Sequence, residues 1–253
     1  MITTPQIERR HKFLKRHIKM KKCSGLEIGP YDRPIVHKKH GPVKYLDYYS
    51  ADELRAKSGA GRVPEEVVDL DYVIQGKRIG EVVTEKFDYV VASHVIEHVP
   101  NMIDWLNELS GVLVDGGRIF LAVPDKRYTF DIARPLTTTG QIIQNYKSGK
   151  TRPSYGDVFD VHRYHKKVNP AVVWQGKFNV EKVPYTFDIA FSEKQGNIAL
   201  KRYFDCHCSV FTCESFLEIM ADLLALSSIP FKVAAHQNNE RPFNDFLCIL
   251  KKV

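Results

Sequence analysis

Long apolar runs are missing from this chain of 253 residues: nowhere do the roughly 20 consecutive apolar residues needed to cross a bilayer occur. The opening stretch, MITTPQIERRHKFLKRHIKMKK, carries charge where a secretion signal needs its apolar segment, so a cytoplasmic protein is expected. Cysteine is sparse and odd in number. Cys23, Cys206, Cys208, Cys213 and Cys248 make no disulfide framework and are expected as free thiols. Cys206, His207, Cys208 and Cys213 crowd together, yet a C-x-C pair with one further Cys lacks the paired C-x-x-C spacing that closes a tetrahedral zinc site. Internal repeats and biased composition are also absent; 15 Gly, 13 Pro and 26% charged residues exclude a disordered or collagen-like chain. A globular protein with its own core follows, expected as a single domain over residues 1–253.

What the chain has in excess is positive charge. Its 37 Lys and Arg against 30 Asp and Glu leave +7, which favours anionic partners: phosphorylated metabolites, acidic glycans, nucleic acid or lipid headgroups. Over residues 7–20, Ile7, Leu14 and Ile18 share one helical stripe, with Phe13 beside it and Arg or Lys around the rest. Such a helix serves as a membrane or nucleic-acid patch, or packs on a sheet with its basic face in water. The narrow stripe without Trp favours packing.

Between Gly25 and Pro124, apolar runs of strand length recur at 25–29, 43–47, 66–71, 87–93 and 117–123, each rich in Val, Ile, Leu or aromatics. Asn101 to Leu113 carries Met102, Trp105, Leu106, Leu109 and Leu113 at helical spacing, and Asp115-Gly116-Gly117 reads as a turn into the fifth run. Strands alternating with helices predict a parallel sheet covered on both faces. After Pro124 the alternation stops, and residues 125 to about 200 read as irregular, aromatic and polar, an inserted lid over about 126–208. Order returns with VFTCESFLEIMADLLAL, a helix N-capped by Thr212 that buries Phe216, Leu217, Met220, Leu223 and Leu224. Two terminal runs, 231–237 and 243–252, read as an antiparallel strand pair.

Ligands of open α/β sheets sit beyond the carboxyl ends of the strands. This sequence places acidic residues there: Glu27, Asp47 and Asp69 to Asp71. Carboxylates in those positions accept hydrogen bonds from ribose hydroxyls or amines and repel a pyrophosphate. The fourth run leads into SHVIEHV, where His94, Glu97 and His98 share one face if a helical turn starts there, and His98 is the first candidate for a general base. An H-x-x-E-H string also occurs on metalloprotease helices, but here it follows a strand and no third ligand is evident. The alternative for Glu97 and His98 is structural: a carboxylate fixing a helix N-terminus and a His packed beneath the lid.

In this order the motifs resemble those of the Rossmann-like (class I) S-adenosylmethionine-dependent methyltransferases. LEIGPYDRP is similar to their first motif, KYLDYYS to the second strand end and VVDLD to the third. FDYVVASHVIEHVPN and LSGVLVDGGRIFLAVPD are similar to the fourth and fifth. GP-x-x-RP with PDKRYTFD resembles a subgroup associated with bacterial surface-polysaccharide biosynthesis. The resemblance implies a Rossmann-like seven-stranded sheet, S-adenosylmethionine as methyl donor and S-adenosylhomocysteine as product. It implies that Glu27 acts through the loop toward the methionine amine, that Gly29 lets the backbone approach, and that Asp47 takes the ribose hydroxyls. Asp69 and Leu70 would frame the adenine, and Ser93 and His94 would line the methionine side. Pro30 stands where many relatives have another glycine, which stiffens the loop.

The expected reaction moves a methyl group to an oxygen, less readily a nitrogen, of a small polar, anionic acceptor such as a sugar or phosphorylated glycan precursor. Asp125, Lys126, Arg127, Tyr128, His162, His165 and His207 are the candidate acceptor contacts. No metal is assigned, although a divalent ion held by His94, Glu97 and His98 stays open. Two other readings are a nucleic-acid methyltransferase, suggested by the basic helix but lacking an Asn-Pro-Pro-aromatic motif, and a non-catalytic cofactor-binding protein.

Overall fold

The computed structural model describes residues 4–57 and 62–253. Its centre is a seven-stranded sheet in the order β3-β2-β1-β4-β5-β7-β6. The strands are β1 (Gly25–Ile28), β2 (Val43–Asp47), β3 (Tyr72–Val73), β4 (Phe87–Ser93), β5 (Leu113–Pro124), β6 (Phe231–Gln237) and β7 (Asp245–Lys252). The first five run parallel, and β7 lies antiparallel between β5 and β6, with Ala122 opposite Leu247. This is the Rossmann-like methyltransferase architecture expected from the resemblance, with its terminal antiparallel pair.

β1, the middle of β4 and the end of β5 are buried on both faces, which is why their sequences run apolar instead of alternating. Neighbouring residues divide between two cores. Leu26, Val90, Leu121 and Cys248 face one side; Tyr89, Val91, Phe120 and Leu247 face the other. The first core is closed by α4 (Met102–Val112), capped by Asn101, and α9 (Cys213–Ala225), capped by Thr212 as the sequence predicts. The second is closed by Phe13 and Leu14 of α1 (Pro5–His17). α1 stops at His17, short of Met20, because Ile18 is extended and Met20–Lys22 forms a separate 3-10 turn.

Two other boundaries differ from expectation. The third strand is not 66–71 but only Tyr72–Val73. Upstream the ladder breaks off: the Val68 N–H donates to the Tyr31 carbonyl, and the Tyr45 N–H of β2 is taken by the Asp71 side-chain carboxylate instead of a strand carbonyl. Asp115-Gly116-Gly117 lies inside β5 as a bulge, since Phe87 pairs with Leu113 but Tyr89 with Arg118, and Gly116 takes a φ of +72°. Two short helices, α2 (Ala51–Ala56) and α3 (Ile79–Val82), complete the first half.

The larger correction concerns residues 125–200, which are mostly helical rather than irregular: α5 (Thr139–Lys147), α6 (Tyr155–Arg163), α7 (Pro170–Trp174) and α8 (Ile189–Lys201). Thr138, Ser154, Asn169 and Asp188 cap these helices with their side chains, so residues that look like loop formers mark helix starts. α6 and α8 meet where Gly196 faces Tyr155; a Cβ there would come within 2.7 Å of the ring. Val158, Val161, Ala199 and Cys206 form a small separate core beneath them.

Candidate active site

The ends of β1, β2 and β4 bring the first group of candidate residues together. Gly29 donates its N–H to the Leu46 carbonyl and takes a φ of +66°, and a Cβ there would meet Val95 at 3.2 Å. Glycine is therefore required both for the turn and for the close approach to the loop after β4. Pro30 is buried behind it. Glu27 is turned inward: its two carboxylate oxygens accept the Ile35 and Val36 N–H groups at 2.7 and 2.9 Å, which pins the intervening loop to the strand. Burial pushes the Glu27 carboxyl up to about 7, against the pull of those two amides and Arg10.

Asp47, half-buried at the end of β2, accepts the Tyr48 N–H at 2.7 Å. Burial raises its pKa above the ordinary value, opposed by the Tyr48 and Tyr49 amides and by Arg62. Ser93 ends β4 opposite Ala122. Asp69 stands apart: its side chain is 94% exposed and pairs with Arg55 at 3.1 Å. Leu70 packs half-buried against the core on the α1 side, and Asp71 rather than Asp69 turns inward.

Beyond β4 the chain makes no α-turn. His94 is left-handed, with φ +54°, and Ile96–His98 is a 3-10 turn whose carbonyl at Glu97 accepts the N–H groups of Cys208 and Ser209. The clasp brings a distant segment to the motif. Glu97 is 1% exposed, and neither carboxylate oxygen has a hydrogen-bond partner. Around it stand His94 Nδ1 at 3.7 Å, His98 Nε2 at 4.0 Å, and His207, whose ring lies edge-on to that of His98 at 4.7 Å between centroids. His98 Nδ1 contacts Asp205 at 3.0 Å and His207 Nδ1 contacts Asp131 at 2.5 Å. Burial disfavours a charge on His98, but the Asp205 bond and the Glu97 carboxylate outweigh it and raise its pKa.

His94 is held from a third direction. Arg10 Nη2 donates to His94 Nε2 at 2.8 Å, while Arg10 Nε and Arg9 Nη1 both reach the fully buried Asp245 carboxylate at 2.7 Å. Two arginines of the basic N-terminal helix thus point into the molecule. Arg9, Arg10, Asp131, Asp205 and Asp245 are not among the sequence candidates, because the contacts that give them a role join residues 76 to 236 positions apart. PDKRYTFD contains Asp131, and the basic helix over 7–20 contains Arg9 and Arg10, but neither pattern says which partner these side chains meet.

The remaining lid candidates divide. His165 stacks on Phe130 at 5.1 Å, and Phe130 packs against His207, which forms an aromatic wall beside the cluster. His162 donates its Nδ1–H to the Val158 carbonyl and sits among Phe187, Phe191 and Phe204, in the packing of α6 and α8. Arg127 folds back on buried Asp125 with Nε at 2.9 Å and Nη2 at 2.6 Å, and also touches Glu214. Lys126 donates to the Arg134 carbonyl, and Tyr128 stacks on Trp174 at 4.3 Å. The cysteines are free, and Cys206, Cys208 and Cys213 are buried. Among the described residues, no helix is long and apolar enough to cross a membrane.

No curated protein matches the chain. Among solved structures, one from Rhodobacter sphaeroides, provisionally described as a Zn-dependent alcohol dehydrogenase, is 14% identical with a TM-score of 0.52, covering 97% of this chain and 90% of that one. The CcbJ methyltransferase of Streptomyces caelestis is 12% identical with a TM-score of 0.48, covering 99% and 97%. A methyltransferase of Methanosarcina mazei is 13% identical with a TM-score of 0.46, covering 100% and 99%. At such identities the likeness is one of fold. The family model described as a methyltransferase domain matches residues 7–223, from the basic helix through all five parallel strands and the insertion into α9. With that match and this sheet, the chain belongs to the methyltransferase-domain family, in its Rossmann-like, S-adenosylmethionine-dependent class.

Proposed function

We propose that the protein methylates an oxygen of a small, polar, anionic acceptor, a sugar or a phosphorylated glycan precursor being the class that fits best. The observation that carries this reading is the buried Glu97 flanked by His98 and His207, two residues along the chain from Val95, which packs against Gly29. Cofactor cradle and polar cluster are thereby neighbours.

The residues at the strand ends fit S-adenosylmethionine. Gly29 leaves no side chain between the backbone and the crevice, and the carboxylate of Asp47 holds backbone amides while keeping lone pairs for two ribose hydroxyls. Ser93 and His94 stand on the methionine side, and Glu27 acts at one remove by fixing the loop. When bound, the cofactor supplies an electrophilic methyl group on sulfur. For the chain, the work is then alignment, which can contribute roughly 7 to 11 kcal/mol, and removal of the acceptor's proton, worth about 10²- to 10⁴-fold. His98 is the group for that proton at Nε2, with Asp205 fixing the Nδ1 side. His165 and Phe130 wall the acceptor space. The +7 charge favours an anionic acceptor, and PDKRYTFD favours a glycan precursor through its resemblance. A nucleic-acid substrate is less well supported, because Arg9 and Arg10 are spent on Asp245 instead of facing a phosphate backbone.

Calorimetric titration with S-adenosylmethionine and S-adenosylhomocysteine, repeated on Asp47→Ala, tests the cofactor half. Micromolar binding that weakens by about 10- to 100-fold in the variant is expected from the loss of charge-assisted hydrogen bonds; absence of binding in the parent protein overturns the reading. Methyl transfer to nucleotide-sugar and phosphorylated-sugar acceptors, followed by mass spectrometry, then identifies the class.

A further inference from the structure

Glu97 presents a problem of electrostatics. A carboxylate that is 1% exposed, with both oxygens lacking a hydrogen-bond donor, bears a desolvation cost of several kcal/mol unless a cation is close. Among the described residues no Lys or Arg forms an ion pair with it; its neighbours are His94 and His98. One ligand atom on each of Glu97, His98 and His207 lies within 4.8 Å of the other two. Both imidazoles are oriented in the manner typical of metal ligands: Nδ1 of His98 is engaged by Asp205 and Nδ1 of His207 by Asp131, which leaves Nε2 of each ring for an ion. Asp131 is itself fixed by the buried Arg134 at 2.9 Å.

We infer that Glu97, His98 and His207 form a binding site for a divalent transition-metal ion, Zn2+ or a chemical equivalent such as Co2+, with coordination positions left open toward the acceptor. Two imidazoles and one carboxylate are a borderline donor set that suits these ions better than Mg2+ or Ca2+, which prefer oxygen throughout. Three protein ligands rather than four is the pattern of a site that admits a substrate or water. Ligand atoms placed 2.0–2.1 Å from a tetrahedral ion are about 3.3 Å apart, so loading draws the three side chains in by roughly 1 Å. His94 is not in the set: its Nε2 accepts from Arg10, which puts the ring proton on Nδ1 and leaves that nitrogen no lone pair for an ion. The third ligand that the H-x-x-E-H string lacks comes from 109 residues downstream, carried in by the Cys208 and Ser209 amides clasping the Glu97 carbonyl.

The inference rests on the acceptor face proposed above and gives it a resident ion. A bound ion would take the place of the His98 base: His98 Nε2 would be a ligand, and an acceptor hydroxyl coordinated at an open position would have its pKa lowered enough to pass its proton to solvent water.

The test uses the full chain, stripped with a chelator and titrated with Co2+ alone. A visible d–d absorption saturating at one ion per chain, and displaced by Zn2+, is expected. Glu97→Gln and His207→Ala should lose the signal, Asp205→Asn and Asp131→Asn should weaken binding about 10- to 100-fold, and Asp115→Ala, exposed at the opposite end of β5 from the site, should leave it within about twofold of the parent, as a distant position does. Asp205 is exposed, so its variant keeps the fold even if a variant at Glu97 does not. S-adenosylhomocysteine titration of each variant separates the two readings: Co2+ binding without S-adenosylhomocysteine binding overturns the cofactor reading alone. Failure of Co2+ to bind the parent stoichiometrically, or binding indifferent to both His207→Ala and Asp205→Asn, overturns the metal site.

Discussion

The two halves of this molecule use the same 20 side chains to opposite effect. From Gly25 to Pro124, order is written in β1, β4 and β5, buried on both faces over most of their length, and the ends of β1, β2 and β4 deliver Gly29, Asp47 and Ser93 to one edge. From 125 to 208, order comes from short capped helices around a core as small as Val158, Val161, Ala199 and Cys206, and polar residues are placed by contacts with distant segments. The first half is a scaffold whose site follows from topology. In the second, the site depends on which partner each side chain meets.

Substitutions can break this division, and the largest expected effect is in the scaffold. Phe120→Ala empties a fully buried position of the second core and should cost about 3 to 5 kcal/mol, read as a fall in the denaturation midpoint for sheet and insertion together. If the insertion melts separately, the halves are less coupled than the clasp of the Cys208 and Ser209 amides on the Glu97 carbonyl implies.

Glu27 gives the scaffold a pH signature. Below its unfolded value near 4.5 both states hold the proton, between 4.5 and about 7 only the folded state does, and above that neither does. Stability should therefore fall as pH rises through this window, by on the order of 3 kcal/mol, and level off above it. Glu27→Gln should flatten that slope in urea denaturation across pH while losing one of the two loop amide bonds; an unchanged slope would assign it to another group.

In the insertion, Gly196→Val drives a side chain into the Tyr155 ring and should destabilise the α6–α8 pair by about 1 to 3 kcal/mol. S-adenosylhomocysteine affinity should not change, which makes this variant the sharpest test that the cofactor cradle is independent of the insertion. The smallest effect is expected at Asp69→Ala: with its side chain 94% exposed and paired only at the surface, it should shift stability by less than about 0.5 kcal/mol and leave cofactor affinity unchanged. A marked loss of cofactor affinity would restore Asp69 to the adenine pocket.

These contrasts track what was legible in the primary structure. Gly29 and Asp47 could be read because strand periodicity locates strand ends, and ligands of such sheets gather there. The third strand was misplaced because 66–71 is apolar enough for a strand while its backbone groups go to Tyr31 and Tyr45. The helices α5 to α8 were read as irregular because their caps, Thr138, Ser154, Asn169 and Asp188, are also turn residues.

By itself, the sequence determined the parallel sheet, the ends of β1, β2, β4 and β5, the terminal helix and strand pair, and the neighbourhood of His94, Glu97 and His98, since each depends on local periodicity or on residues close along the chain. Only tertiary structure decided that Glu97 lacks a donor, that His207 stands beside His98, that Asp205 and Asp131 orient the two rings, and that Arg10 reaches His94. Those contacts join residues 76 to 109 positions apart, and no pattern along a chain encodes which distant side chain a buried charge will meet; packing of the insertion against the sheet settles it.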